Sequence, residues 1–588
     1  MSVRVLDSRR LTGPNLLLDG PGAILDVGLE GADPDSAIAA WRTALARLLD
    51  ALGWSGATVA ARAHAQGLNL AFSAPIDVLY AATEVNEAAW QQAALALGVP
   101  PADGTTPEAF DEMVTRLTQT IAAERKPWLE ALERETRARG VTLLADDRRV
   151  SVGLGVGSRA WPAEETPAVL ERIPWDEVSD VPVALVTGTN GKSTTVRLLA
   201  AMVEAAGRKA GVTSTDHVTV GDDVVAVGDY SGPNGARTVL RDRRVEIALL
   251  EVARGGILRR GLALPRAQVA LVTNVANDHL GEFGIFDLAA LADVKMVVAK
   301  AVGPAGRVVL NADDALLLER GRRLAAPVIW FTLDPRHPAL ADHLERGGEA
   351  CVLDDGMLEL ARGRQRREIV PLAEVPLAFG GAARHNVANA LAAIGVATAL
   401  GLPDDAIRRG LTSFESTPRS NPGRANVWRL GGITAIVDFA HNPHGLAALA
   451  HMTAALPARR RALVIGQAGD RDDDSIREFA RAAWAMAPDR VFIKEMEVYL
   501  RGREPGVVPA LIEAELARAG ATPGALERCD SELAAVRAAL SWSREGDLLL
   551  LTTHAQRDEV IALVERLERE GWTPGRPLDP APAPSATR

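Results

Sequence analysis

Residues 183–202, VALVTGTNGKSTTVRLLAAM, restrict this chain more than any other stretch. A short apolar run ends in Gly188-Thr189-Asn190-Gly191-Lys192-Ser193-Thr194, and Leu198, Leu199 and Met202 then follow at helical spacing. Strand, glycine turn and helix in that order form half of a parallel βαβ unit, so the pattern predicts an α/β fold. Glycines let backbone N–H groups turn toward phosphate oxygens, and the helix start adds free donors and a favourable dipole. Lys192 can then reach β- and γ-phosphates, and the Ser193 hydroxyl suits Mg2+. A plain glycine turn with a surface lysine is the bland alternative, and it does not explain why all these features coincide. The general phosphate-loop pattern puts four residues between its first glycine and the Gly-Lys pair. Val186 holds that first position here, so the loop is shorter and starts at Gly188.

The same rhythm continues along the chain. VEIALLEV, QVALVTNV and RVVLNADD are further short apolar runs with helical patterns between them, which predicts a mostly parallel sheet covered on both faces. A second series, ITAIVDFA, RALVIGQAG, RVFIKE and DLLLLTT, starts after residue 422. Before all this, residues 1–99 mix a strand-like start with helical spacing at 38–52 and 90–97. A Pro/Gly/Thr loop at 100–107 precedes a charged helix over 108–139 that Gly140 should cap. The glycine- and proline-punctuated stretch near 160–175 reads as a boundary. The expected order is therefore an α+β N-terminal domain (1–165), an α/β ATP-binding domain (176–418), a smaller Rossmann-like α/β domain (419–575) and a disordered tail (576–588).

Bulk properties remove several function classes. A length of 588 residues calls for several cores. A net charge of -11 argues against general binding of nucleic acid or anionic membrane, and no apolar run is long enough to span a bilayer. Cys351 and Cys529 lack metal-ligand spacing, and the first residues do not read as a secretory signal, so a reducing cytoplasm is the expected setting.

The compact loop GTNGKS(T) resembles that of Mur ligases and folylpolyglutamate synthetases. The likeness extends to GDYSGPNGARTVL (228–240), LLEVARGGILRRGL (249–262), VTNVANDHLGEFGIFDL (272–288), GGAARHNVANALAA (380–393), NPGRANVW (421–428), VDFAHNPHGL (437–446) and KEMEVYLRGREPG (494–506). Together these resemble the ligase module of cyanophycin synthetases over about 180–570. RRLTGPNLLLDGPGAILDVGLE resembles, more loosely, their N-terminal domain. The ATP-grasp domain that separates the two parts in that family has no counterpart in between. In the family, ATP-grasp extends an aspartate backbone and the ligase module adds arginine to aspartate side chains.

The resemblance implies an ATP-dependent carboxylate–amine ligase working through an acyl phosphate with Mg2+. It makes Lys192, His279, Lys295 and Arg424 catalytic, and Ser193, Glu251, His279 and Lys295 the metal-holding set, Lys295 as a carbamate. Lys300 is close enough to Lys295 to be confused with it. Gly188 to Thr194 would hold the phosphates. Asn386, Asn389, Arg424, Asp438 and His441 would hold the rest of the nucleotide, with domain closure completing that site. Capping and packing are the bland alternative for the two asparagines. Thr213, Ser214 and Thr215 resemble the acceptor-side loop, and Arg237 and Arg254 could hold carboxylates, with ion pairs on a charged surface as the bland alternative for each. The amine is expected near Gly469-Asp470-Arg471 and 494–503, where Asp470 and Asp472 to Asp474 would suit a basic group, a solvated acidic loop being the bland alternative. Implied partners are an amino acid and an acidic peptide or metabolite, and a homo-oligomer is compatible with this. A kinase or NTPase is one rival; a non-catalytic polymer-binding scaffold descended from the synthetase is the other.

Overall fold

A computed structural model describes residues 2–31, 33–99, 108–165, 170–454 and 456–579. The expected loop at 100–107 and the tail from 580 onward lie outside these residues. Backbone contacts gather the chain into two compact units: 1–276 with 280–371 and 388–411, and 412 onward with 277–279 and 372–387.

The first unit starts with an antiparallel sheet of β1 (Ser2–Leu11), β2 (Gly22–Glu30), β3 (Val59–His64) and β4 (Gly67–Ser73), in the order β1-β2-β4-β3. Period-two alternation splits its faces. Leu25, Val27, Leu68, Leu70 and Phe72 share a core with Trp41, Leu45 and Leu48 of helix Pro34–Ala51, and with Val85 and Trp90 of helix Leu79–Ala96. The sequence suggests one short strand here; the structure has four, because β1 and β3 carry Arg, Asp and His among their apolar positions. The charged helix expected over 108–139 is two helices, Phe110–Glu124 and Pro127–Arg139. Pro127 has no N–H for a helix interior and opens the second helix instead. Gly140 closes that helix at φ 72, as expected. A small sheet of β5 (Leu143–Ala145), β6 (Arg149–Val152) and β7 (Arg159–Pro162) follows.

The central sheet has eleven strands in the order β11-β10-β9-β12-β8-β13-β14-β15-β16-β17-β18. They are β8 (Val183–Thr187), β9 (Ala210–Thr213), β10 (His217–Val220), β11 (Asp223–Val227), β12 (Ile247–Glu251), β13 (Ala267–Val272), β14 (Val302–Asn311), β15 (Val328–Thr332), β16 (Glu349–Asp354), β17 (Met357–Arg362) and β18 (Gln365–Pro371). The run from β9 to β16 is parallel, as expected; β10 and β11 at one edge, and β17 and β18 at the other, extend it antiparallel. Every residue of β8 and β12 is buried, which is why both read as uninterrupted apolar runs. The antiparallel flanks include largely exposed strands, β11 and β18, and give no such signal.

In the second unit β19 (Asn426–Leu430), β20 (Ile433–Asp438), β21 (Arg461–Ile465), β22 (Arg490–Lys494), β23 (Leu526–Cys529) and β24 (Leu548–Thr552) form a sheet in the order β19-β20-β24-β21-β22-β23. Only the β19–β20 hairpin is antiparallel. Apolar cores cover both faces, so the polar groups gather beyond the carboxyl ends of β20, β24 and β22. Among the described residues, no helix is long and apolar enough to cross a membrane.

Candidate active site

The phosphate loop joins β8 to helix Lys192–Ala205. Its glycines are required by close approach. A Cβ on Gly188 (φ 148) would stand 1.8 Å from Thr273 Oγ1, and one on Gly191 (φ 89) 2.3 Å from Asn389 Oδ1. The loop is fastened from behind. Thr189 N donates to Asn274 O (2.9 Å), Asn190 N to Asn274 Oδ1 (3.0 Å), and Thr273 Oγ1 to Asn190 O (2.6 Å). Lys192 Nζ curls back onto the carbonyls of Gly188 (3.1 Å) and Thr189 (3.0 Å). These carbonyls hold the ammonium over the loop, where a phosphate oxygen would compete for it.

Ser193 and Glu251 lie 58 residues apart, yet Ser193 Oγ donates to Glu251 Oε2 at 2.8 Å. Both are buried, and Glu251 N donates to Thr213 Oγ1 (3.0 Å) from the next strand. A hydroxyl and a carboxylate at the mouth of a phosphate loop form the hard oxygen set that Mg2+ prefers, so these residues fit the ion. Lys295 is buried near the end of helix Leu288–Met296, which Asp287 caps through Ala290 N (2.7 Å). Lys300 differs: its Nζ pairs with Asp19 Oδ1 at 3.0 Å. Burial therefore separates the two lysines that the sequence leaves confusable. Ser214 Oγ donates to His217 O and Thr215 Oγ1 lies 3.4 Å from Ser193 Oγ, so the hydroxyl loop borders the same place. Arg254 is ion-paired with Glu282, and Arg237 Nη2 donates to Thr12 Oγ1 (3.2 Å).

In the second unit, backbone donors orient the Asp438 carboxylate: Oδ2 accepts from Ala425 N and Oδ1 from Ala440 N, both at 2.8 Å. Arg424 stacks its guanidinium 4.2 Å from the Phe439 ring centroid. Asn386 is buried and donates to Leu377 O (3.1 Å), whereas Asn389, three residues on in helix Arg384–Ala399, falls in the first unit beside Gly191. His441 Nε2 lies 3.7 Å from Asp278 Oδ1, which also accepts from Arg471 (2.7 Å). Burial opposes ionisation of Asp278, but His441, Arg471 and His279 outweigh it and hold its carboxyl well below the ordinary range. His279 Nδ1 itself lies 4.0 Å from Asp470 Oδ2.

Each carboxylate expected around the amine has a partner within the second unit. Asp470 pairs with Arg501, Asp473 with Arg503, Asp474 with Arg477, and Asp472 caps helix Asp473–Trp484. Lys494 is fully buried, donating to Glu532 Oε2 (2.6 Å), Thr552 O (2.6 Å) and His554 Nδ1 (2.9 Å). Sequence reasoning missed Asp278, Glu532 and His554. Asp278 had a signal in its adjacency to His279; the other two look like surface residues in one dimension.

His554 yields a pH prediction. Burial first, then the charges of Lys494, His441 and Arg424, hold its imidazole well below the ordinary pKa of 6.5. The folded state therefore refuses a proton that the unfolded chain accepts, so stability is present above pH about 6.5 and lost as pH falls below it. Each unit of pH should cost about 1.4 kcal/mol per such group. Denaturant melts of the C-terminal unit between pH 7 and 5 should show this slope, and His554→Gln should flatten it by one proton's worth. An unchanged slope would remove His554 as the cause.

Residues 186–397 match the Mur ligase middle domain, and residues 423–554 the Mur ligase glutamate ligase domain. The chain therefore carries the middle and C-terminal domains of the Mur ligase family. It is 39% identical over 356 residues to cyanophycin synthetase of Synechocystis sp., covering 60% of this chain and 40% of that protein. It is 29% identical over 302 residues to the UDP-N-acetylmuramoyl-L-alanyl-D-glutamate–2,6-diaminopimelate ligase of Geobacter metallireducens, covering 50% and 56%. Among solved structures, the ligand-free bifunctional folylpolyglutamate synthase/dihydrofolate synthase of Yersinia pestis aligns with TM-score 0.48 and 21% identity, over 71% of this chain and 95% of that one. The chain thus spans about two-fifths of the length of the cyanophycin synthetases it matches.

Proposed function

We propose that this chain joins the carboxylate of an acidic acceptor to the amine of an amino acid, at the cost of one ATP per bond. A carboxylate oxygen attacks the γ-phosphorus, the bond to the β-phosphate oxygen breaks, and ADP leaves. The amine nitrogen then attacks the acyl carbon, phosphate departs with the bonding pair, and the nitrogen sheds a proton. Lys192 neutralises the charge of the moving phosphoryl group, and Arg424 offers a second cation. Asn386, Asn389, Asp438 and His441 bind the nucleotide. Ser193, Glu251, His279 and a carbamylated Lys295 would hold Mg2+, which draws charge from phosphate oxygens. Carbamylation adds the neutral Lys295 amine to CO2 with loss of a proton, turning a cation into an anion. The Ser193–Glu251 contact at the loop mouth carries the reading, because it brings the metal-type donors to the phosphate site.

The acceptor is an acidic peptide or small acidic metabolite, and the setting is the cytoplasm. Between the N-terminal helices and β8 the described residues form only the small β5–β7 sheet and short turns, which supports a single ATP-driven bond type. The test crosses acidic acceptors with amino acids in the presence of ATP and Mg2+. ADP release should require both partners, and product mass should equal their sum less one water. ADP release without an amine would favour an NTPase, a stable phosphorylated acceptor a kinase, and nucleotide binding without turnover the scaffold reading.

A further inference from the structure

The N-terminal sheet carries a polar row that crosses it from edge to edge. Register sets Asp7 opposite Asp26, Asp26 opposite Asn69, and Asn69 opposite Arg62. These side chains bond in sequence. Asn69 Nδ2 donates to Asp26 Oδ1 (2.7 Å), Arg62 Nη1 to Asn69 Oδ1 (3.0 Å), and Arg9 Nη1 to Asp26 Oδ2 (2.5 Å). Asp26 and Asn69 are buried on the face opposite the helices, so desolvating them must be repaid by what the row holds. Its free end reaches out of the sheet: Arg62 Nη2 donates to Gly284 O at 3.0 Å, across 222 residues.

Gly284 belongs to the loop that starts at His279 and ends at Asp287, the cap of the Lys295 helix. This loop is in an unusual conformation. His279 (φ 52), Gly281 (φ 97), Phe283 (φ 53) and Gly284 (φ 76) all adopt left-handed backbone. Such geometry persists in non-glycine residues only where surroundings over-determine it. The N-terminal sheet supplies those surroundings for Phe283 and Gly284. Arg9 lies 4.7 Å from the Phe283 ring centroid, and the His64 ring 5.5 Å from that of Phe286. A Cβ on Gly284 would stand 2.5 Å from His64 Cδ2 and 2.9 Å from Asn69 Oδ1, so the loop backbone lies directly on the row. Burial lowers the Arg62 pKa against the pull of Asp287, Asp293 and Asp26, all of which favour the guanidinium where it is.

We propose that Arg62 is a positioning residue for the ligase reaction, and that the N-terminal sheet acts as a clamp on the His279–Asp287 loop. The clamp rests on the ligase reading, in which His279 and Lys295 serve the phosphoryl-transfer site. It gives the N-terminal segment a role in turnover that is distinct from holding acceptor. A loop displaced by about an ångström costs on the order of a hundredfold in rate while leaving substrate contacts elsewhere intact.

The full-length protein is compared with Arg62→Ala, Arg62→Lys and His64→Ala. Arg62→Ala should lower kcat at least about tenfold with the KM of acceptor and amine within about twofold. Arg62→Lys, which can still donate to Gly284 O, should recover part of kcat, and His64→Ala should show a weaker form of the same change. Hydrogen exchange of the 279–287 amides should quicken in Arg62→Ala while the β2 and β4 amides keep their protection. Unchanged loop exchange overturns the clamp, as does a raised acceptor KM at constant kcat, which would mark a docking role. If Arg62→Ala loses protection throughout the sheet, Arg62→Lys and His64→Ala decide by the same two readouts. Should the wild type form no product with any acceptor–amine pair, the ligase reading falls, and the exchange measurement still decides whether the sheet holds the loop.

Discussion

Lys192→Ala should lose ATP-dependent product formation by a factor on the order of 10²–10³, the cost of removing one preorganised cation from a developing anionic centre. Its fold should survive. The Lys192 ammonium holds two loop carbonyls, of Gly188 and Thr189, and contributes no apolar surface to the core. Losing those partly exposed bonds should cost about 1 kcal/mol or less. Lys192→Arg should not rescue the rate, because a planar fork cannot replace a compact ammonium in a loop this tight. The measurements are single-turnover product formation at saturating ATP and a thermal melt. Near wild-type turnover in a folded Lys192→Ala protein would refute the phosphate-loop assignment and the mechanism with it.

How much of this was legible in one dimension depended on how local each interaction is. Gly188 to Ser193 could be read because strand, loop and helix are contiguous, and β8 and β12 because burial on both faces leaves apolar runs. The Ser193–Glu251 contact crosses 58 residues and was legible only through the motif that each belongs to. The N-terminal sheet was not legible: the polar row through Asp26, Asn69 and Arg62 interrupts the apolar alternation a reader looks for. Asp470 and Asp472 to Asp474 misled for the opposite reason. Their charges look available in sequence, but their partners Arg477, Arg501 and Arg503 lie up to 31 residues away. Lys494 was expected among the amine-binding residues, and the fold instead seals it inside the sheet end with Glu532 and His554.

That sealed cluster gives a large expected stability effect. Glu532, 1% exposed, accepts from Lys494 Nζ and from the backbone N–H groups of His554, Ala555 and Gln556. Gln556 Oε1 in turn accepts from Leu533 N, so the start of helix Glu532–Trp542 and the turn after β24 hold each other. Glu532→Leu would leave the Lys494 ammonium buried without its counter-charge and three backbone donors without their acceptor. Breaking a buried pair from one side costs about 3–5 kcal/mol. For a unit of this size the C-terminal melting transition should therefore drop on the order of 10 °C. Lys494→Met combined with Glu532→Leu should regain much of that loss, since removing both charges leaves neither one stranded. The backbone donors would stay unsatisfied, so recovery should be incomplete. Catalysis should feel the single variant too, because His554 packs its ring 4.8 Å from Phe439, over which Arg424 stacks. A drop of less than about 2 °C in Glu532→Leu would mean that water reaches Lys494, and that the cluster is not the closed ion pair described above.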